Sequence, residues 1–399
     1  MTPRELVSLT TALSLLDKHI TAIHRQEQLP LHQALGRVLA SDIHAHHSTP
    51  PFDRAVMDGY AVIASDLNEA SQDNPVTLKV VEEVFAGAIP QKRLSTGLVS
   101  QISTGARIPD GADAVVMQED TKRDGDTVRI FTRTEKAKYI SFAGADIRIG
   151  ELLLGKERLL TPARIGALAS QGMESVDVYV KPKVAILSTG EEVVALGQPL
   201  KENQIYDINS YSVASVIQLN GGEPWILPTV GDSMLQMQAA LEQALQADLV
   251  ITTGGSSVGT KDYLSELLTA KGNIFYHGIR LKPGKPSAFA LVDGKPVLGL
   301  PGYPTSCLIN AYLLLGPTIR RMAHLPLCKT QTMEIPIAEN LSGIEDRTTF
   351  LPVKIENEQV FNAFKGSGAI TSAAHADGYI VLQPNEELPK GHVVSVTLF

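Results

Sequence analysis

The segment Asp248-Leu249-Val250-Ile251-Thr252-Thr253-Gly254-Gly255-Ser256-Ser257-Val258-Gly259 constrains the fold of this chain more than any other. Its apolar, β-branched run reads as a strand buried on both faces, as in parallel sheets. The run stops at paired glycines, where a backbone without Cβ can turn sharply or approach a ligand. Two hydroxyls, a third glycine and Asp262 follow, and Tyr263 to Leu268 reads as a helix. Strand, glycine-rich turn, helix is the order that aims backbone N–H groups and a positive helix end at a phosphate or other oxyanion.

The same order recurs nearby. Lys183 to Ile186 is an apolar strand that ends in Ser188-Thr189-Gly190-Glu191-Glu192. Pro296 to Leu300 ends in Pro301-Gly302-Tyr303-Pro304-Thr305-Ser306 and leads into an apolar helix from Cys307 to Met322. Before it, Arg280-Leu281-Lys282-Pro283-Gly284-Lys285-Pro286 holds two ammonium groups on a proline-stiffened loop. Ligands of open α/β sheets bind beyond the carboxyl ends of the strands, so all four loops are expected to line one crevice. The cations suit a phosphate ester, and the carboxylates suit a hard divalent metal.

At 399 residues the chain exceeds one ordinary core, so roughly two to four domains are expected. A net charge of −8 leaves no electrostatic case for nucleic acid. No apolar run approaches the ~20 residues of a membrane helix, so no membrane association is expected. Thr2-Pro3-Arg4-Glu5 looks like a capping box, and Leu6, Leu9, Leu13, Leu16 and Ile20 follow helical spacing, which reads as a helix rather than a signal peptide. Two cysteines, Cys307 and Cys328, support neither a disulfide framework nor a zinc site and read as buried thiols of a cytoplasmic protein. His44, His46 and His47 read as a solvated linker.

The fold expected is multidomain α/β. Residues 178–327 alternate strand and helix as a doubly wound, mostly parallel sheet does. There Asn209 is expected to cap a helix to Leu219, Glu223 to Leu227 to form a strand, and Ser233 to Ala247 a helix. Residues 48–144 form a β-rich domain with strands at Thr77 to Val81, Ala114 to Met117 and Val128 to Thr132 and a turn at Asp124-Gly125. Two helical stretches, 1–47 and 145–177, flank it as one elongated N-terminal domain. Residues 328–399 suggest a small C-terminal β-barrel, with strands at Phe350 to Ile355 and His392 to Leu398.

Taken together, these motifs resemble the molybdopterin molybdenumtransferase family, which includes the C-terminal domain of gephyrin. The resemblance spans essentially the whole chain. It rests on Pro51-Phe52-Asp53-Arg54-Ala55-Val56-Met57-Asp58-Gly59-Tyr60-Ala61, Thr104-Gly105-Ala106, Ala114 to Glu119 and Ser188-Thr189-Gly190. Ile205 to Asn209, Gly254-Gly255, Lys282 to Pro286, Gly299 to Gly302 and Gly366-Ser367-Gly368 complete it.

The resemblance implies magnesium-dependent insertion of molybdate, a substrate, into adenylylated molybdopterin with release of AMP. It assigns activity to Asp58, Thr104, Glu192, Asp262 and Lys282. Substrate binding falls to Ser188, Thr189, Gly190, Asp232, Gly254, Gly255, Ser256, Ser257, Lys285, Pro301, Gly302, Pro304 and Ser367. Glu192, Asp232 and Asp262 are the implied Mg²⁺ ligands, and oxygen donors are what that ion takes. It further implies a homodimer, with Asp58 and Thr104 acting in trans on the partner's α/β loops, and a separate molybdopterin adenylyltransferase, because none is fused here.

Simpler roles compete residue by residue. Asp58 before Gly59 also fits a turn, Asp262 and Asp232 fit helix caps, and Pro301 and Pro304 fit backbone shaping. The chain also departs from the family. Tyr139-Ile140-Ser141 stands where the family usually has Asn, one residue and Arg, leaving Arg133 and Arg148 as nearby cations. Tyr303 and Thr305 replace Asn and Val, Ser256 replaces Val, Glu191 replaces Asp, and Gly278 replaces a lysine. These changes cluster on ligand-facing loops. A tungstate-inserting paralogue and a non-catalytic pterin-binding scaffold are therefore the alternatives to molybdate insertion.

Overall fold

Helix α1, Leu9–His19, starts at Ser8, whose hydroxyl accepts the Thr11 N–H at 3.0 Å. The computed structural model describes residues 6–231, 233–254, 263–328 and 330–399, the side chains of 263–265 excepted, so the expected cap at Thr2 lies outside them. Leu6 does not belong to the helix: its neighbour Val7 pairs in parallel with Ile279. The chain forms two units, Gln28–Asp177 and a second made of Val178–Phe399 with the N-terminal residues up to Glu27. This division is coarser than the four parts expected, and α1 falls with the α/β part rather than with residues 28–47.

In the unit 28–177, six strands form one sheet: Gly59–Val62 (β1), Val76–Val84 (β2), Leu98–Ile102 (β3), Ala114–Met117 (β4), Thr121–Asp124 (β5) and Thr127–Ile130 (β6). The order is β4-β1-β3-β2-β6-β5, with only β2 and β3 parallel. Tyr60 and Val62 pack with Leu78, Val99 and Val128, while Ala61 packs on the other face with Ile102 and Val115. Strand β1 is thus covered on both sides, as period two requires. The stretches read as helical hold little helix. Residues 145–177 contain Pro162–Ser170 (α2), capped by Thr161. Leu152–Leu154, which looked helical, pairs antiparallel with Ile43–His44. That ladder joins segments far apart in sequence, and local spacing carries no trace of it.

The second unit is built on Lys183–Ser188 (β7), Asn209–Leu219 (α3), Glu223–Ile226 (β8), Met234–Ala244 (α4), Leu249–Thr253 (β9) and Tyr263–Lys271 (α5). Gly272–His277 (β10), Ala288–Val292 (β11), Lys295–Leu300 (β12) and Pro304–Asn310 (α6) come next. The sheet order is β8-β7-β9-β12-β11-β10. The first four strands are parallel; β11 runs against β12, and β10 against β11. Strand β10 therefore points the same way as β12, and the lysine-bearing segment beyond His277 emerges at the carboxyl edge of the sheet.

Alternate residues of the central strands feed two cores. Val184, Ile186, Ile251, Leu298 and Leu300 meet Ala12 and Leu16 of α1, Val213 and Ile217 of α3, and Cys307 of α6. Ala185, Leu187, Val250 and Val297 face Met237 and Leu241 of α4 and Leu267 of α5. Leu298→Ala should cost about 2–5 kcal/mol, because its fully buried site cannot collapse around the void; urea denaturation measures it. The apolar run after Pro304 is not one α-helix. A π-helical turn, Ala311–Leu315, separates α6 from Gly316–Met322 (α7), where Pro317 lacks the N–H that a continuous ladder needs.

Thr332–Pro336 (β13), Thr348–Glu356 (β14), Gln359–Asn362 (β15), Gly378–Leu382 (β16) and Val393–Leu398 (β17) form a further sheet. Its order is β14-β16-β17-β13, β15 pairs with β14, and Ile337 bridges to Val360, around a core of Leu351, Val353, Ile380 and Val396. The short strand Leu281–Lys282 pairs in parallel with Thr348–Thr349 of β14. Cys307 is buried as expected, but Cys328 is exposed, because it lies on the connector between α7 and β13. Among the described residues no helix is long and apolar enough to cross a membrane.

Candidate functional site

Three of the expected loops meet at the carboxyl edge of the α/β sheet. The N–H of Thr189, just after β7, donates to the Thr253 carbonyl at the end of β9 at 3.1 Å, and Ser188 and Thr189 are both buried. Gly254 has a φ of +89°, and a Cβ there would lie 2.8 Å from the Thr189 carbonyl oxygen. Only glycine allows that approach. Past β12, a Cβ on Gly302 would lie 3.4 Å from the Gly254 Cα. The carboxylate of Glu192 folds back over Gly190, with Oε2 2.8 Å from where a Cβ on that residue would stand. Glu191 and Glu192 are carboxylates at the rim, both exposed. At the end of β9, the hydroxyls of Thr252 and Thr253 are buried with no hydrogen-bond partner among the described residues.

Asn209 does not cap α3. Its Nδ2 donates to the Gly302 carbonyl at 2.8 Å, and the cap is the buried Asp207, whose Oδ1 accepts the Ser210 N–H at 2.9 Å. Asp207→Ala should cost about 1 kcal/mol, read by urea denaturation. Asn209 suits capping because it sits at the helix start; Asp207, two residues earlier, has the better reach.

The lysine loop lies at the same edge. Lys282 is half-buried and in register with Thr349, while Lys285 is exposed. Asn310 of α6 donates its Nδ2 to the Gly284 carbonyl at 3.3 Å and to the Ser306 carbonyl at 2.9 Å. A cavity of about 230 Å³ beside Lys282 is lined by Asn340, Ser342, Thr349 and Asn362. The Arg347 Nε, 2.8 Å from Asp346, holds that carboxyl below its usual range, and Lys285 adds to the effect. Sequence reading missed this Asp346–Arg347 pair. Ser367 joins the group through its backbone, since its carbonyl accepts the Thr305 N–H at 3.0 Å. Pro301 leads from β12 into this group of loops, and Pro304 is the first residue of α6.

Asp58 and Thr104 belong to the other unit. Both are exposed, and the Thr104 N–H donates to Asp58 Oδ1 at 2.6 Å. That bond holds the Asp58 carboxyl below its usual range. A carboxyl lowered by a bond to its ionised form keeps that bond above the usual range and loses it as pH falls through the lowered value. Any acid limb set by Asp58 in a pH–rate profile should therefore lie below the ordinary aspartate range, which activity measured from neutral pH downward would show. Arg54 and Arg107 flank this pair on paired backbone, with the Arg107 guanidinium 5.9 Å from the Phe52 ring. Arg107 was missed, although it directly follows Thr104-Gly105-Ala106. The Tyr139 carbonyl accepts the Val56 N–H at 2.9 Å, Lys138 stands 4.9 Å from the Tyr139 ring, and Ser141 pairs with Arg54. Asp232, Gly255, Ser256, Ser257 and Asp262 lie outside the described residues.

Family models match three consecutive segments: the MoeA N-terminal region (domain I and II) at residues 7–172, a probable molybdopterin binding domain at 185–321, and the MoeA C-terminal region (domain IV) at 334–399. The chain belongs to the molybdopterin molybdenumtransferase (MoeA) family. Among curated members, the molybdopterin molybdenumtransferase of Haemophilus influenzae is 36% identical over 94% of this chain and 94% of its own length. The one from Staphylococcus aureus strain COL is 31% identical over 94% of this chain and 93% of its own. The crystal structure of a molybdopterin biosynthesis MoeA protein from Pyrococcus horikoshii superimposes with a TM-score of 0.87 at 37% identity, covering 99% of both chains. The family match accounts for the mixed α/β, sheet-rich, multidomain architecture of the chain.

Proposed function

We propose that this enzyme of molybdenum cofactor biosynthesis inserts molybdate into adenylylated molybdopterin with release of AMP, in a magnesium-dependent step. The observation that carries the reading is the meeting of the Ser188–Glu192, Gly254 and Pro301–Pro304 loops at one sheet edge, where Lys282, Lys285 and Ser367 are also tied to α6 and β14. Lys282 and Lys285 would hold phosphate oxygens as compact charges. Ser188, Thr189, Gly254 and Gly302, with Gly255, Ser256 and Ser257, would cradle the substrate with hydroxyls and backbone N–H groups.

The rim offers a hard cation the carboxylate oxygens of Glu191 and Glu192, the donor type it takes, and among the described residues no cluster of three or more His, Cys, Asp or Glu side chains could hold a metal. Glu192, Asp232 and Asp262 would hold Mg²⁺. When bound, the ion would supply positive charge to phosphate oxygens as AMP leaves. Asp58, kept ionised by Thr104, would act from the partner subunit of a homodimer. A separate adenylyltransferase would supply the substrate, and the cytoplasm is the compartment proposed. The domains proposed are 28–47 with 145–177 as the remainder of the elongated element, 48–144, 178–327 as a doubly wound sheet joined by α1, and 328–399 as a small barrel.

The test is an insertion assay on the purified chain with adenylylated molybdopterin and either molybdate or tungstate. Insertion of molybdate that stops on chelation and returns with Mg²⁺ supports the reading. Preference for tungstate would make the chain a tungstate paralogue. Tight binding without turnover would make it a scaffold.

A further inference from the structure

Tyr303 is 68% exposed, more than any other Phe, Tyr or Trp side chain among the described residues, yet the backbone carbonyls on both sides of it are held. The carbonyl of Gly302, the residue before it, accepts from Asn209 at 2.8 Å. Its own carbonyl accepts the Cys307 N–H at 2.8 Å. Pro304, the first residue of α6, restricts Tyr303 to the extended conformation it adopts, with φ −70° and ψ 128°.

The neighbouring loop is fixed as well. Thr305 donates its N–H to the Ser367 carbonyl at 3.0 Å and its hydroxyl to the Ala369 carbonyl at 2.8 Å. The valine that the family usually carries at this position has no hydroxyl to donate. The loop so pinned sets Gly368 against one edge of the phenol ring, whose Cδ1 lies 3.5 Å from where a Cβ on Gly368 would stand. Two departures from the family pattern, Tyr303 and Thr305, therefore work together: one presents a ring, and the other fixes the loop beside it. A ring on a fixed backbone, with Gly368 at one edge and most of its surface in water, offers a planar partner an open face with no backbone left to order. It also stands one residue from Gly302, at the mouth of the proposed site.

We propose that Tyr303 is the stacking platform for a planar heteroaromatic ring of the substrate, and so a specificity-determining residue of this chain. The proposal rests on the function proposed above. Such a substrate carries two rings of this kind, adenine and pterin, and both offer the π-face that stacking needs.

The experiment measures binding of AMP, of pterin and of molybdate alone to the full chain in Mg²⁺ by titration calorimetry. It is run on wild type, Tyr303→Phe, Tyr303→Trp, Tyr303→Ala and Tyr303→Asn, alongside the KM for adenylylated molybdopterin. The ring-bearing variants should keep affinity. Alanine and asparagine should weaken whichever ring probe stacks, and raise KM, by about tenfold, as loss of one aromatic stack does. Molybdate binding and kcat should stay as in wild type. Loss for AMP alone assigns the platform to adenine, and loss for pterin alone assigns it to the pterin. Unchanged KM and unchanged affinity for both ring probes in the alanine and asparagine variants overturn the platform while leaving the insertion reading intact. Failure of the wild type itself to insert metal overturns that reading instead. If the alanine variant is misfolded by circular dichroism, the asparagine variant, which restores the family's usual residue, decides.

Discussion

Chains carrying Asp58→Ala, mixed with chains carrying Glu192→Ala, should regain insertion activity that neither has alone. Each single variant is expected to lose about a hundredfold or more, as sites do when a metal ligand or a placed charge is removed. Neither should unfold, because both side chains lie at the surface. In the proposed homodimer, Asp58 of one subunit serves Glu192 of the other. A mixed dimer then pairs both substitutions in one site and leaves the second site whole. Random assortment would restore about a quarter of the wild-type sites. The measurement is insertion rate after unfolding and refolding the two chains together, with heterodimer content checked by tagged pull-down. Persistent inactivity despite verified heterodimers would place Asp58 and Glu192 in the site of a single chain.

The site was legible where one residue type is needed for a local reason. Gly254 follows a strand, where the sequence asks for a backbone able to turn sharply, and its φ of +89° is such a turn; that it lies against Thr189 is seen only in the structure. The alternation in Val184-Ala185-Ile186-Leu187 was likewise readable as a strand covered on both faces. What could not be read was pairing between distant segments. Nothing around Lys282 announces a register with Thr349, and nothing in Leu152-Leu153-Leu154 announces His44 as its neighbour. Loop closure of that kind is decided by the whole fold, whereas propensity and spacing report only on a few turns. The cap on α3 failed for a smaller reason: Asn209 and Asp207 both suit capping, and only geometry shows that the amide of Asn209 is engaged with Gly302.

Gly59→Ala should be the most damaging single substitution in the unit 28–177. Next to Asp58, this glycine suggested a turn, yet it is the first residue of β1 and its φ is not positive. The constraint is space. A Cβ on Gly59 would stand 1.9 Å from the Val116 carbonyl oxygen and 3.0 Å from the Gln118 nitrogen. Neither can step back cheaply. Gly59 is in register with Ile102 on one side and Met117 on the other, so moving β4 away breaks a ladder of the sheet. The Gln118 N–H also donates to the Asp58 carbonyl at 3.0 Å, so the same shift would drag Asp58 from Thr104. The loss should reach about 4 kcal/mol or more, the range of backbone clashes inside a packed sheet. Urea denaturation and hydrogen exchange would show residues of β1, β3 and β4 exchanging freely in the variant, while β7 and β9 of the other unit stay protected. A variant as protected as wild type throughout β1 to β4 would mean that the β1–β4 spacing relaxes without cost, and that Gly59 is there for the turn after all.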